Sequence, residues 1–335
     1  MSDPAPPPPV GPRIASLCSG YGGLDLAVTS LLGGTPVWFA ETDPDARNVL
    51  AARWPDTPLF GDITAIDWTA VPAADVITSG HPCQPFATQG QQKGADDDRD
   101  VWPCVLDAIN TLRPQLAVFE NVPGWRNNPD GLPRTLRDLA AIGYDTAWCT
   151  HSASDVGAPH RRARVFAAAR PSETPPDPPG LPERDARPQT HPQPGDRRDG
   201  RTRRPPWLEH RRRTLRGVGE PPRTGTVPDS PPPGCEKPFD WQEYGPAVQR
   251  WTDCRMVAPP CPIAPVGVDG REEVAPAFLE WMMAVPVGWV SSVPMDYRSA
   301  YRLLGNGVCP PAGAAALHHL LGQLDAPAQA DTMDN

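Results

Sequence analysis

Cys83 is the side chain in this sequence whose chemistry most needs a reason. It stands between prolines in Ile77-Thr78-Ser79-Gly80-His81-Pro82-Cys83-Gln84-Pro85, directly after the short apolar run 74–78. A thiolate is a strong nucleophile, and that run reads as a core strand ended by turn residues, so the thiol belongs at a strand's carboxyl end. In open α/β sheets this is the edge where ligands bind. A buried structural thiol is the competing reading. Glu120-Asn121-Val122 follows a second such run, Leu116 to Phe119, and places a carboxyl at a neighbouring strand end. There it could hold or deliver a proton, or merely cap a helix. In His160-Arg161-Arg162-Ala163-Arg164 the guanidiniums of Arg162 and Arg164 alternate in phase at the start of a strand ending near Ala169. On one face they could grip a carbonyl or phosphate bidentately; a solvated basic edge strand is the alternative.

These groups need a sheet to hold them. Arg13 to Leu17 reads as a strand, Cys18-Ser19-Gly20-Tyr21-Gly22-Gly23 as a glycine-rich turn and Leu24 to Leu32 as a helix. Such a loop lets backbone approach a ligand and exposes a helix amino terminus, and it suits NAD, FAD, a nucleotide or S-adenosylmethionine equally. A tight turn is the plain alternative. Val37 to Ala40 is the next strand, and Glu41 follows Gly20 at the spacing of an acid that grips ribose hydroxyls. Asp43-Pro44 should start a helix running to Arg53. Asp62 follows the short run Leu59-Phe60-Gly61, as a ligand group, a cap, or both. Residues 89–99 are polar and glycine-bearing and read as a lid or a solvated loop. Val101 to Leu112 and Leu132 to Ile142 read as helices, and Tyr144 to His151 and Arg164 to Ala169 as strands.

Composition divides the chain. Forty-eight prolines in 335 residues are about three times ordinary usage. Residues 1–12 read as a disordered proline-rich arm, and 171–234 as a disordered insert with seventeen prolines and twelve arginines against nine acids. Its arginines could touch phosphates or do nothing. A tail over 325–335 is also expected to be disordered. A net charge of −9 excludes coating nucleic acid by bulk attraction, so any such contact needs a local basic surface. The eight cysteines show no Cys-x-x-Cys pair or zinc-ligand spacing, and free thiols are expected. The sequence shows no signal peptide and no apolar run of membrane-spanning length.

Five segments in order carry a resemblance. Ser16 to Leu26, Pro82-Cys83-Gln84, Glu120-Asn121-Val122, His160 to Arg164 and Gly305-Asn306-Gly307-Val308 together resemble the motifs of the DNA (cytosine-5)-methyltransferase family of bacterial and phage type. His160 stands where that family has glutamine, Cys18 where it has phenylalanine and Ala87 where serine is common. The resemblance implies a doubly wound α/β S-adenosylmethionine-dependent methyltransferase sheet, Rossmann-like, over 13–170 plus 296–324. A small target-recognition domain over 235–295 is inserted in it. It implies catalytic roles for Cys83, Glu120, Arg162 and Arg164. Cofactor contacts are implied for Cys18, Ser19, Gly20, Gly22, Gly23, Leu24, Glu41, Asp62, Ile63, Asn306 and Val308, and substrate contacts for Pro82, Gln84, Asn121 and Val122.

The implied partners are S-adenosyl-L-methionine and double-stranded DNA, with a cognate restriction endonuclease in the same host as a further candidate. No metal and no membrane are implied, and a cytoplasmic monomer is expected. The implied chemistry is addition of the Cys83 thiolate to carbon 6 of a cytosine flipped from the duplex, which makes carbon 5 electron-rich enough to take a methyl group. Alternatives are an RNA cytosine-5 enzyme, or a catalytically silent DNA reader that binds cofactor.

Overall fold

The computed structural model describes residues 11–82, 100–173, 239–266 and 271–326. Its organising element is a seven-stranded sheet. In chain order the strands are β1 (Arg13–Leu17), β2 (Thr35–Ala40), β3 (Leu59–Phe60), β4 (Val76–Ser79), β5 (Leu116–Asn121), β6 (Tyr144–Ser152) and β7 (Ala163–Pro171). Across the sheet they run β3-β2-β1-β4-β5-β7-β6. The first five are parallel, and β7 turns antiparallel between β5 and β6. Strand order reverses between β1 and β4, which opens a crevice at their carboxyl ends.

Period-two alternation assigns the faces. In β1, Ile14 packs on one side of the sheet and Ala15 and Leu17 on the other; in β5, Val118 opposes Ala117 and Phe119. One layer is built from Trp38, Trp68, Trp102, Ile109 and Trp125, under helices α3 (Trp102–Leu112), α4 (Pro123–Asn127) and α5 (Leu132–Ala141). The opposite layer packs Leu24 and Val28 of α1 (Gly23–Leu32) against Leu317 and Leu320 of the C-terminal helix Pro310–Asp325. Between α1 and β3 lies α2 (Pro44–Arg53). Its start is set by Asp43, whose Oδ1 accepts from Asp45 N at 3.0 Å and Ala46 N at 3.1 Å, with Pro44 in the first turn.

A third core joins Tyr21 and Val49 to the later elements. These are α6 (Gly245–Arg255), the hairpin β8 (Ile263–Val266) and β9 (Arg271–Val274), α7 (Pro276–Met283), α8 (Tyr297–Asn306) and α9 (Pro310–Asp325). Phe278 and Trp281 stack at 5.6 Å within it. The turn after α7 is tied by Glu280, a buried carboxylate that accepts from the backbone N–H groups of Gly288, Val290 and Ser291 and from the Ser291 hydroxyl.

The proline-rich arm to residue 10, the polar loop 83–99, the insert over 174–238 and the tail from 327 lie outside the described residues. Two expectations need correction. β5 continues through Glu120 and Asn121 instead of ending at Phe119, because β7 pairs with both of them. The expectation of free thiols holds at Cys18, Cys104, Cys149 and Cys309, but Cys261 is disulfide-bonded. Only the tertiary fold sets the sulfur separation, so spacing could not show it. Among the described residues no helix is long and apolar enough to cross a membrane.

Candidate active site

The crevice between β1 and β4 is a cavity of about 490 Å³, within the ordinary range for small-molecule sites. Its walls come from four places. The glycine loop contributes Cys18, Ser19, Gly20 and Gly23; the end of β2 contributes Glu41; the segment after β3 contributes Asp62 and Ile63; and the α8-to-α9 junction contributes Asn306, Gly307 and Val308. Glu120 and Pro82 join the lining from the neighbouring strand ends.

Glu41 is the brace of this cavity. Its Oε2 accepts from Gly20 N at 2.7 Å, and its Oε1 from Thr42 N at 2.8 Å and Asp43 N at 2.9 Å, so one carboxylate fixes both the loop and the start of α2. Asp62 does two things. It caps a 3-10 turn, accepting from Thr64 N at 2.9 Å, and it lines the cavity; hydrogen bonds from Thr64 hold its carboxyl below the usual range. Cys18 is half-buried with φ 51°, and desolvation raises its thiol pKa strongly.

Glu120 is 7% exposed. Burial pushes its carboxyl from 4.5 up to about 6, against the opposing pull of Arg164 and Arg162. Arg164 reaches it because Phe166, two residues on in β7, is the register partner of Glu120, which makes Arg164 the diagonal neighbour. Arg164 Nε lies 2.8 Å from Glu120 Oε1 as an ion pair, yet the N–H is not aligned, and Oε1 keeps no hydrogen-bond partner. A buried acceptor of this kind on a cavity wall has capacity for a ligand donor.

Arg162 reaches the same region by another route. It precedes β7 with φ 38°, so strand phase does not place it beside Arg164, as the alternation predicted. Its Nη2 instead donates to Gly307 O, while its buried Nε has no partner and desolvation lowers its pKa.

The remaining expected residues divide. Leu24 lines the cavity; Gly22 does not, and its open α-carbon face packs on Trp54 instead. Asn121 turns away from the cavity and donates through Nδ2 to His81 O at 3.2 Å, which ties down the backbone before Pro82. Its own Oδ1 accepts from Val122 N, and Val122 begins α4. Cys83 and Gln84 lie outside the described residues. His160 Nε2 is 3.1 Å from Met282 O, so it tethers its loop to α7.

Sequence reasoning passed over four groups. Asp25, fully buried, accepts from Ser16 Oγ at 2.9 Å and Thr78 Oγ1 at 2.7 Å on the cavity wall, and burial raises its carboxyl to about 6. A lone acid in the apolar run Gly23 to Val28 was the available signal. Arg302 of α8 lines the cavity and pairs with Asp43 and Asp45. His81 lies between Trp102 and Trp125, with centroids 5.8 and 5.6 Å away, and burial lowers its pKa to about 4. Tyr21 donates to Val308 O at 2.5 Å. Among the described residues no group of three or more His, Cys, Asp or Glu is placed to hold a metal ion.

A family model described as C-5 cytosine-specific DNA methylase matches residues 12–206, more than half of the chain. The chain is 32% identical over 157 residues to the type II methyltransferase M.DsaV of Dactylococcopsis salina, covering 46% of this chain and 44% of that protein. It is 31% identical over 161 residues to M.MspI of Moraxella sp, covering 47% of this chain and 38% of that one. The matched region thus spans less than half the length of these relatives. Among solved structures, S. pombe Dnmt2 methyltransferase aligns with a TM-score of 0.57 at 17% identity over 94% of this chain and all of that one. A mutant of Spodoptera frugiperda DNMT2 aligns with a TM-score of 0.55 at 19% identity, covering 92% of this chain and 99% of that one. At these identities the likeness is one of fold.

Proposed function

The chain belongs to the C-5 cytosine-specific DNA methylase family, and from that premise we propose that it methylates carbon 5 of a cytosine flipped out of duplex DNA. The observation that carries this reading is the cavity at the strand-order reversal, whose lining joins the glycine loop, Glu41 and Asp62 to Glu120 and Pro82. S-adenosyl-L-methionine supplies the methyl group when bound. The residues present fit it: the cavity is large enough, and the glycine-loop backbone with the carboxylates of Glu41 and Asp62 lines it.

This chain's own groups divide the remaining work. The Cys83 thiolate adds to carbon 6, and the electron pair displaced into the ring makes carbon 5 nucleophilic. Glu120, titrating near 6, shares or delivers a proton at ring nitrogen 3 and so neutralises the charge developing there. Arg164 holds the Glu120 carboxylate, and Arg162 adds positive potential beside it. After methyl transfer a base takes the carbon 5 proton, the ring double bond reforms and the Cys83 thiolate leaves. Asn121, through His81 O, steadies the backbone that leads into Pro82 and Cys83. A target-recognition role falls to residues 235–295, double-stranded DNA is the substrate, and the catalytic domain comprises 13–170 with 296–324.

The test uses purified protein with methyl-labelled S-adenosylmethionine and unmethylated genomic DNA, or total RNA, followed by nucleoside analysis. Label in 5-methyl-2′-deoxycytidine supports the proposal. Label only in RNA nucleosides redirects it to an RNA substrate, and no label with folded, cofactor-binding protein contradicts it.

A further inference from the structure

Two walls of the cavity, far apart in the chain, meet at one side chain. Tyr21, between the loop glycines, is 1% exposed and donates through its hydroxyl to Val308 O at 2.5 Å. Its ring fills the space beside Gly307. A Cβ there would lie 1.8 Å from Tyr21 Cε1 and 2.4 Å from Cζ. The backbone at Gly307, φ −71° and ψ 179°, is one that any residue adopts. Glycine is therefore required for room and not for conformation. On the ring's other edge a Cβ at Gly23 would lie 2.8 Å from Cε2.

The same pair reaches two further parts of the molecule. Gly307 O accepts from Arg162 Nη2, and Tyr21 O accepts from Trp289 Nε1 at 2.9 Å. We propose that Tyr21 and Gly307 are a matched positioning pair, which sets the distance between the glycine loop and the α8-to-α9 junction and thereby seats Arg162 beside Glu120. The inference rests on the cofactor reading above. A side chain at 307 pushes Tyr21 out, separates the two walls and withdraws the carbonyl that Arg162 uses.

The experiment measures S-adenosylhomocysteine binding by calorimetry, with thermal unfolding as a fold control, for wild type, Gly307→Ala, Tyr21→Phe and Tyr21→Leu/Gly307→Ala. Gly307→Ala should weaken binding by about tenfold or more through overpacking. Tyr21→Phe, which keeps the ring, should weaken it by roughly threefold through loss of one hydrogen bond. The double variant, with the ring removed, should recover to within about threefold of wild type, a coupling that independent sites do not show. Independent action of the two residues would make the two changes add. Gly307→Ala binding like wild type, or a double variant weaker than Gly307→Ala, overturns the pair. If Gly307→Ala does not fold, a double variant that folds and binds supports the pair, and one that does not overturns it. Wild type that fails to bind S-adenosylhomocysteine overturns the cofactor reading itself.

Discussion

Replacing Glu120 by Gln should stabilise the protein while disabling it. The carboxyl is buried, and the folded state raises its pKa from 4.5 to about 6 despite two nearby arginines. For an acid whose folded pKa is raised, stability is greatest below the unfolded pKa and is lost as pH rises through the folded one. The full loss is roughly 2 kcal/mol at pH 8, and the partial titration at pH 5 costs under about 1 kcal/mol. Glutamine resembles the protonated acid in shape and charge. Glu120→Gln should therefore be more stable than wild type by roughly 2 kcal/mol at pH 8 and by under about 1 kcal/mol at pH 5. Asp25 titrates in the same window but is common to both chains, so the difference isolates Glu120. Denaturant unfolding at the two pH values reads it directly. Methyl transfer should fall by about 10²–10³, the cost of losing one charged partner to a developing charge. A variant less stable than wild type at pH 8, or a difference that does not change with pH, refutes the reasoning.

Other positions give sharper contrasts between stability and binding. Arg302→Ala removes an ion pair whose arginine is nearly half exposed, so unfolding free energy should move by under about 1 kcal/mol, while S-adenosylhomocysteine affinity falls because Arg302 lines the cavity. Lysine at 302 should restore binding only in part, since it cannot serve Asp43 and Asp45 from one planar fork. Asp25→Ala strands the buried hydroxyls of Ser16 and Thr78 and should cost about 2–4 kcal/mol in denaturant unfolding. Gly22→Ala forces φ +83° on alanine and drives a Cβ to 2.7 Å from the Trp54 ring, so melting should fall by several degrees even though Gly22 does not line the cavity.

What sequence could and could not disclose follows from the range of each interaction. β1, the glycine turn, α2 with its Asp43-Pro44 start, and the placing of Glu41 and Asp62 at the cavity were legible, because each rests on neighbours within one strand-loop-helix unit. β5 ran two residues further than its apolar run implied, since β7 supplies partners to Glu120 and Asn121. Arg162 arrived beside Arg164 as expected but by a turn with positive φ and a bond to Gly307 O, not by strand phase. Tyr21 with Val308, and Arg302 with Asp43, lie 287 and 259 residues apart. Local pattern carries no trace of such pairs. Asp25 was legible in principle, as an acid with no solvent face in an apolar helix.

The most direct test of the central claim is to express wild type and Cys83→Ala in a strain lacking cytosine methylation and to sequence the genomic DNA by a method that reports 5-methylcytosine. The account predicts 5-methylcytosine at one short motif with wild type and none with Cys83→Ala. Methylation that persists in folded Cys83→Ala, or that is absent from both proteins although each binds S-adenosylmethionine, would contradict it.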